Sequence, residues 1–107
     1  MAWTALFLSG ICEVIWAFFM KRSEGFTLFW PTVISLSTTL LGFLLLAYAM
    51  RSLPLGPTYA IWTGIGAVGT FVLGIAFLGE AATPPRLVAA VLILAGLTLM
   101  ALSTSGE

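Results

Sequence analysis

The chain alternates long apolar runs with short polar clusters. Apart from Glu13, its charged residues (Lys21, Arg22, Glu24, Arg51, Glu80, Arg86 and Glu107) mark the edges of four runs at about 2–20, 28–50, 57–79 and 86–104. Each run is about 19–23 residues long, and ~20 helical residues rising ~1.5 Å each cross the ~30 Å hydrocarbon core of a bilayer. Barrel strands would be ~10 residues of alternating polarity, a pattern these runs lack. Helices, which satisfy their backbone polar groups internally, are therefore predicted. The connections Lys21–Thr27, Arg51–Gly56 and Glu80–Pro85 are short and rich in Gly, Ser and Pro, so successive helices should form antiparallel pairs. Pro31, Pro57, Pro84 and Pro85 fall at helix starts, where a missing N–H costs little. The expectation is an all-α membrane protein: one domain, residues 1–107, with four transmembrane helices.

Composition agrees. Apolar residues make up 61% of the 107 and charged residues 7%, against roughly 25% charged in a soluble domain. Mean hydropathy is +1.15. With four cationic side chains and zero net charge, a nucleic-acid partner has no electrostatic footing. Histidine is absent and Cys12 is the single cysteine, which excludes a disulfide within the chain and argues against a zinc site or other metal cofactor. The N-terminus opens Met-Ala-Trp without a basic segment, and the first run ends at Lys21-Arg22, so it reads as a retained span and not a cleaved signal.

Flanking charge barely orients the chain. Lys21, Arg22 and Arg86 fall on one side, and Arg51 with the N-terminal amine on the other. Such a bias permits insertion both ways round, and hence an antiparallel homodimer. Four helices alone are too few to enclose a solvated pathway, so dimerisation is expected on size. Small residues on the third and fourth runs, among them Gly64, Gly66, Ala95 and Gly96, suit close helix packing, within a subunit or between two.

Glu13 stands near the middle of the first run. A charge at that depth costs at least ~2.5–3.5 kcal/mol on insertion scales, so an intramembrane acid is a functional candidate by default. Hydrocarbon disfavours the ionised form of any carboxylic acid, and no cationic side chain lies at comparable depth. The counter-ion of Glu13 must be a proton or an imported cation. A permanently protonated, purely structural acid is the alternative, although Asn or Gln would do that work at less cost.

Helical spacing puts Ser9, Gly10, Trp16 and Ala17 on the face of Glu13. Tyr59 and Trp62 project together from the third run; aromatic faces attract cations and the phenol and indole can orient a carboxylate. An interfacial aromatic belt is the competing reading for this pair, and it is the preferred one for Trp3 and Trp30. Cys12 points about 100° from Glu13, toward lipid or packing. Glu24, Glu80 and Glu107 read as solvated loop or tail charges. Ser35, Ser37, Thr38 and Thr39 could line a polar path or bond back to their own helix.

These residues resemble the small multidrug resistance family of proton-coupled exporters along essentially the whole chain. The resemblance rests on Gly-Ile-Cys-Glu-Val-Ile-Trp-Ala around Glu13, the Lys-Arg-Ser-Glu-Gly-Phe-Thr turn from Lys21, and Gly-Pro-Thr-Tyr-Ala-Ile-Trp-Thr-Gly-Ile-Gly from Gly56. Within the family the chain is most similar to the guanidinium exporters, because Trp16 stands where the quaternary-ammonium drug exporters usually carry glycine. The resemblance implies an antiparallel homodimer in the bacterial inner membrane, with Glu13 from both subunits binding protons and guanidinium in competition. It places Gly10, Trp16, Thr38, Gly42, Tyr59 and Trp62 around that site.

One departure is Gly42, where guanidinium exporters usually have a serine that hydrogen-bonds the central glutamate. Thr38, Thr39 or a water is expected to stand in, or else the pocket is roomier and admits alkyl- or acylguanidines such as guanylurea. Pro57 also departs from the family pattern. A polyspecific exporter of lipophilic cations in the same fold is the first rival, opposed by the bulk of Trp16. The second is a non-transporting subunit of a heterodimer. No nucleophile–base pair, metal cluster or phosphate loop suggests an enzyme.

Overall fold

The computed structural model describes residues 1–104. Four helices account for nearly all of them: α1 (Ala2–Arg22), α2 (Phe29–Ala49), α3 (Leu55–Leu78) and α4 (Pro84–Thr104). Each is long and apolar enough to cross a membrane. The boundaries lie within about two residues of those read from charge. The third helix starts at Leu55, with Pro54 as its cap, so Pro57 is the third helical residue and not the first. The first-turn N–H groups lack an acceptor four residues back in any helix, and the proline is still accommodated.

Two turns are built by named residues. Ser23 is fully buried; its hydroxyl donates to the Met20 carbonyl at 2.6 Å and accepts from the Phe26 N–H at 2.9 Å. Its carbonyl accepts from Thr27 and Leu28 at 2.9 and 3.1 Å. These bonds hold Glu24, Gly25 and Phe26 at φ 50°, 76° and 66°, a left-handed run that side-chain-bearing residues rarely adopt. At the end of α3, Gly79 takes φ 69° and turns Glu80 back so that its N–H donates to the Gly74 carbonyl at 3.1 Å, a common helix ending for glycine.

Side-chain pairings fix the relative directions. Ser9 meets Gly42 and Trp16 meets Ser35, so numbers rise on α1 as they fall on α2: the pair is antiparallel. Gly10 with Ile65, Glu13 with Gly66 and Val14 with Gly69 rise together, so α1 and α3 are parallel. The principal packing order is α2–α1–α3–α4, and the Cα extents of 43 × 34 × 16 Å describe a thin layer open on its faces. Its core, Ala5, Leu6, Leu46, Ala49, Ile61 and Trp62, ties α1, α2 and α3 together at one end.

Small residues divide between two situations. A β-carbon on Gly64 would press on Leu97 of α4, and one on Gly66 on Glu13, so both glycines serve packing within the chain. Ala95 and Gly96 are exposed, and a β-carbon on Gly96 would meet nothing within 4 Å. Helix α4 buries only Thr104 among its residues.

Candidate functional site

Glu13 sits on the central helix, half-buried, with its side chain laid across Gly66 of α3. A β-carbon on Gly66 would overlap the Glu13 carboxyl and stand 2.7 Å from its Cγ. Gly10 against Ile65 and Gly69 against Val14 make the same close approach on either side. Glycines thus bring α1 and α3 near enough for a carboxylate to rest on a bare helix backbone.

Three buried side-chain polar atoms lack a hydrogen-bond partner among the described residues: Glu13 Oε1, Trp62 Nε1 and Thr58 Oγ1. Thr58, Trp62 and Gly66 are spaced by four on α3, so they form one row along that helix. Glu13 lies over the last member. A carboxylate accepts and an indole N–H donates, and leaving either buried and unpaired costs free energy. The row carries unspent polar capacity from the first turn of α3 to its middle.

Four aromatic rings gather beside it. Trp16 meets Phe43 edge-on, with centroids 5.4 Å apart and planes at 68°. Trp62 lies 5.9 Å from Trp16, 6.3 Å from Phe43 and 5.4 Å from Tyr59. Trp62 is only 7% exposed whereas Tyr59 is 54% exposed. The two project together, but Trp62 belongs to the core and not to a belt. Trp3 and Trp30 are exposed. Phe43 was not foreseen; it follows Gly42 in an unbroken apolar run, and nothing in its spacing marks it.

Gly42 is buried, and the room it leaves is already filled. A β-carbon there would stand 2.9 Å from Cζ3 of Trp16 and 3.1 Å from Cβ of Cys12. Cys12 is a buried packing residue of the α1–α2 contact. The expected stand-ins are engaged elsewhere: Thr38 donates to the Ile34 and Ser35 carbonyls at 2.8 and 3.1 Å, and Thr39 to Ser35 at 2.8 Å. Two serines instead link the helices. Ser9 Oγ donates to the Gly42 carbonyl at 2.7 Å and Ser35 Oγ to the Trp16 carbonyl at 3.0 Å.

The remaining charges keep to the helix ends. Lys21 and Arg22 occupy the last turn of α1, with Arg22 over the Phe18 ring at 5.2 Å. Arg51 stacks near Tyr48 at 5.9 Å, and Arg86 donates to the Ala81 carbonyl at 3.0 Å. Glu24 and Glu80 are exposed, and Glu107 lies outside the described residues. A cavity of about 190 Å³ follows the α1–α3 seam from Ala17 and Thr70, one turn beyond Glu13 and Gly66, to Lys21 and Glu80. A larger one, about 700 Å³, lies between α3 and α4 beside Phe71, Arg86 and Ile93. No cluster of metal-ligating side chains occurs among the described residues.

An unpaired acceptor, an indole donor and several π-faces form the chemistry of a site for a small cation with N–H donors. The chain is similar to known proteins along most of its length. The family model for the Small Multidrug Resistance protein matches residues 1–93. The chain is 46% identical to the guanidinium exporter of Escherichia coli (strain K12) over 104 residues, 97% of this chain and 99% of that protein. It is 53% identical to the guanidinium exporter of Yersinia pseudotuberculosis over 97 residues, 91% of this chain and 93% of that one. With the guanidinium exporter of Citrobacter freundii the identity is 45% over 104 residues, covering 97% and 99%.

Proposed function

Because the chain belongs to the small multidrug resistance family, we propose that it exports guanidinium or substituted guanidinium cations in exchange for protons at Glu13. It is a multi-pass protein of the bacterial inner membrane and a transporter, not an enzyme.

The observation that carries the proposal is the Glu13 oxygen, buried and without a hydrogen-bond partner among the described residues. Basic side chains stay at helix ends and in turns, so the neutralising charge comes from outside the chain. A proton or a guanidinium supplies it equally. The guanidinium adds planar N–H donors matched to carboxylate geometry, and Trp16, Tyr59 and Trp62 wall the site. Occupancy by one excludes the other, and a site neutralised either way crosses between the two faces more cheaply than an empty ionised one. That exclusion is the coupling.

The thin helix layer supports a homodimer. Glu13 lies in a sheet of helices open on both faces, and a second layer is needed to close a chamber around it. An antiparallel partner, allowed by the near-balanced flanking charge, brings a second Glu13 to a shared site and makes the two access states equivalent by symmetry. The α1–α3 seam cavity ending at Lys21 and Glu80 offers a route from the site to one membrane face. The exposed small residues Ala95 and Gly96 of α4 offer contact to the partner.

The test is transport by purified protein in proteoliposomes, read as current on a solid-supported membrane and as lumenal pH with a trapped indicator, so that an electroneutral exchange is also detected. Currents on perfusion of guanidinium, methylguanidinium or guanylurea, absent from Glu13→Gln, are expected. Currents dominated by a tetraalkylammonium would move the protein to the drug-exporter reading. Silence with every cation from folded dimer would leave a non-transporting subunit.

A further inference from the structure

Gly42 lies on α2, behind the ring that walls the site, and its contact with Trp16 is bracketed in an unusual way. The two residues that touch are also the two acceptors of the interhelical serine bonds: Ser9 donates to the carbonyl of Gly42, and Ser35 to the carbonyl of Trp16. Both serines are fully buried. The backbones of α1 and α2 are therefore fastened to each other at residues 42 and 16 themselves. Between them, the six-membered ring of Trp16 fills the place of a side chain at position 42.

A β-carbon at 42 would face Trp16 Cζ3 at 2.9 Å and Cys12 Cβ at 3.1 Å. The first distance is shorter than ordinary carbon–carbon contact, which is about 3.5–4.0 Å. Cys12 Cβ is bonded to the α1 backbone and cannot retreat. The two serine bonds resist separation of the helices, so the indole has to give. Its other ring neighbours are Phe43 of α2, with centroids 5.4 Å apart, and Trp62 of α3, 5.9 Å away. Pushed away from α2, the ring moves toward Trp62 of α3, in the row that ends at Gly66 beneath Glu13.

We propose that Gly42 is a specificity-determining residue: by lacking a side chain it lets the Trp16 indole seat against α2, and so widens the Glu13 site for guanidiniums with a bulky N-substituent. Gly42 acts by positioning Trp16. The inference rests on the exporter reading given above. It differs from the idea that a missing side chain leaves a void, because the void is filled and the gain in room appears on the opposite side of the ring.

The test compares guanidinium with phenylguanidinium in proteoliposome currents for the wild type, Gly42→Ala, and Gly42→Ala combined with Trp16→Phe. One added methyl-sized group in a pocket changes discrimination by about tenfold or more. Gly42→Ala should raise KM for phenylguanidinium about tenfold relative to KM for guanidinium. The second substitution, which shortens the ring, should restore phenylguanidinium. Equal losses for both cations, no loss for either, or a wild type that carries guanidinium but not phenylguanidinium would overturn the inference. A folded wild type that moves neither charge nor protons with guanidinium would instead remove the exporter reading beneath it.

Discussion

Glu13 of α1 lies directly on Gly66 of α3, its Cγ 2.7 Å from where a Gly66 β-carbon would stand. The carboxylate occupies that place because position 66 has no side chain. Gly66→Ala should drive the carboxyl off its seat, and a misplacement of about 1 Å in a reacting group can cost on the order of a hundredfold. We expect guanidinium transport to fall by that order while the helices remain intact. Proteoliposome currents beside circular dichroism and gel filtration check this.

The serine bonds between α1 and α2 are both buried or partly so, and an interhelical hydrogen bond in a membrane is worth about 0.6–1.7 kcal/mol. Ser9→Ala and Ser35→Ala should each lower resistance to unfolding in mixed micelles by about that amount. The double variant should lose close to the sum, because the two bonds have separate donors and acceptors. A double-mutant cycle measures the additivity.

Competition at Glu13 fixes the sign of the pH dependence. Where the acid holds its proton, guanidinium must displace it, so apparent KM rises as pH falls, by about tenfold per unit for each competing proton. At higher pH the acid is already ionised and KM levels off. A KM independent of pH across both regimes would mean that the carboxylate does not bind both species. Initial currents over a pH series give the curve.

Gly96 tests the assembly. Its added β-carbon would meet nothing in the subunit, so Gly96→Phe should leave the monomer fold unchanged. If α4 packs on its partner through this strip, the substitution should dissociate the dimer in mild detergent, read by light scattering. An undisturbed dimer would place the interface elsewhere.

The spans were legible because charge is nearly absent except at their ends, and Glu13 because a lone carboxylate in an apolar run has no ordinary explanation. The helix starts were less so: Pro57 marked the beginning of α3, but a first turn accommodates proline at any of its early positions, and the helix runs back to Leu55. The separation of Trp62 from Tyr59 was also out of reach. They are three residues apart and share a face, yet one packs with Leu6 and Leu46 and the other faces outward. The seat of Trp16 on Gly42 depends on how two helices cross, and no periodicity within one helix carries it. The same holds for Ser9, expected on the face of Glu13, and Ser35, expected to line a polar path or bond back to its own helix; both instead bond across to the neighbouring helix.

The most direct measurement is proton release on guanidinium binding, in weakly buffered detergent solution with a pH indicator, for wild type and Glu13→Gln. The account predicts that saturating guanidinium releases protons from the wild type at a pH where the acid is protonated, and none from the variant. Guanidinium binding to the wild type with no proton released at any pH would contradict it.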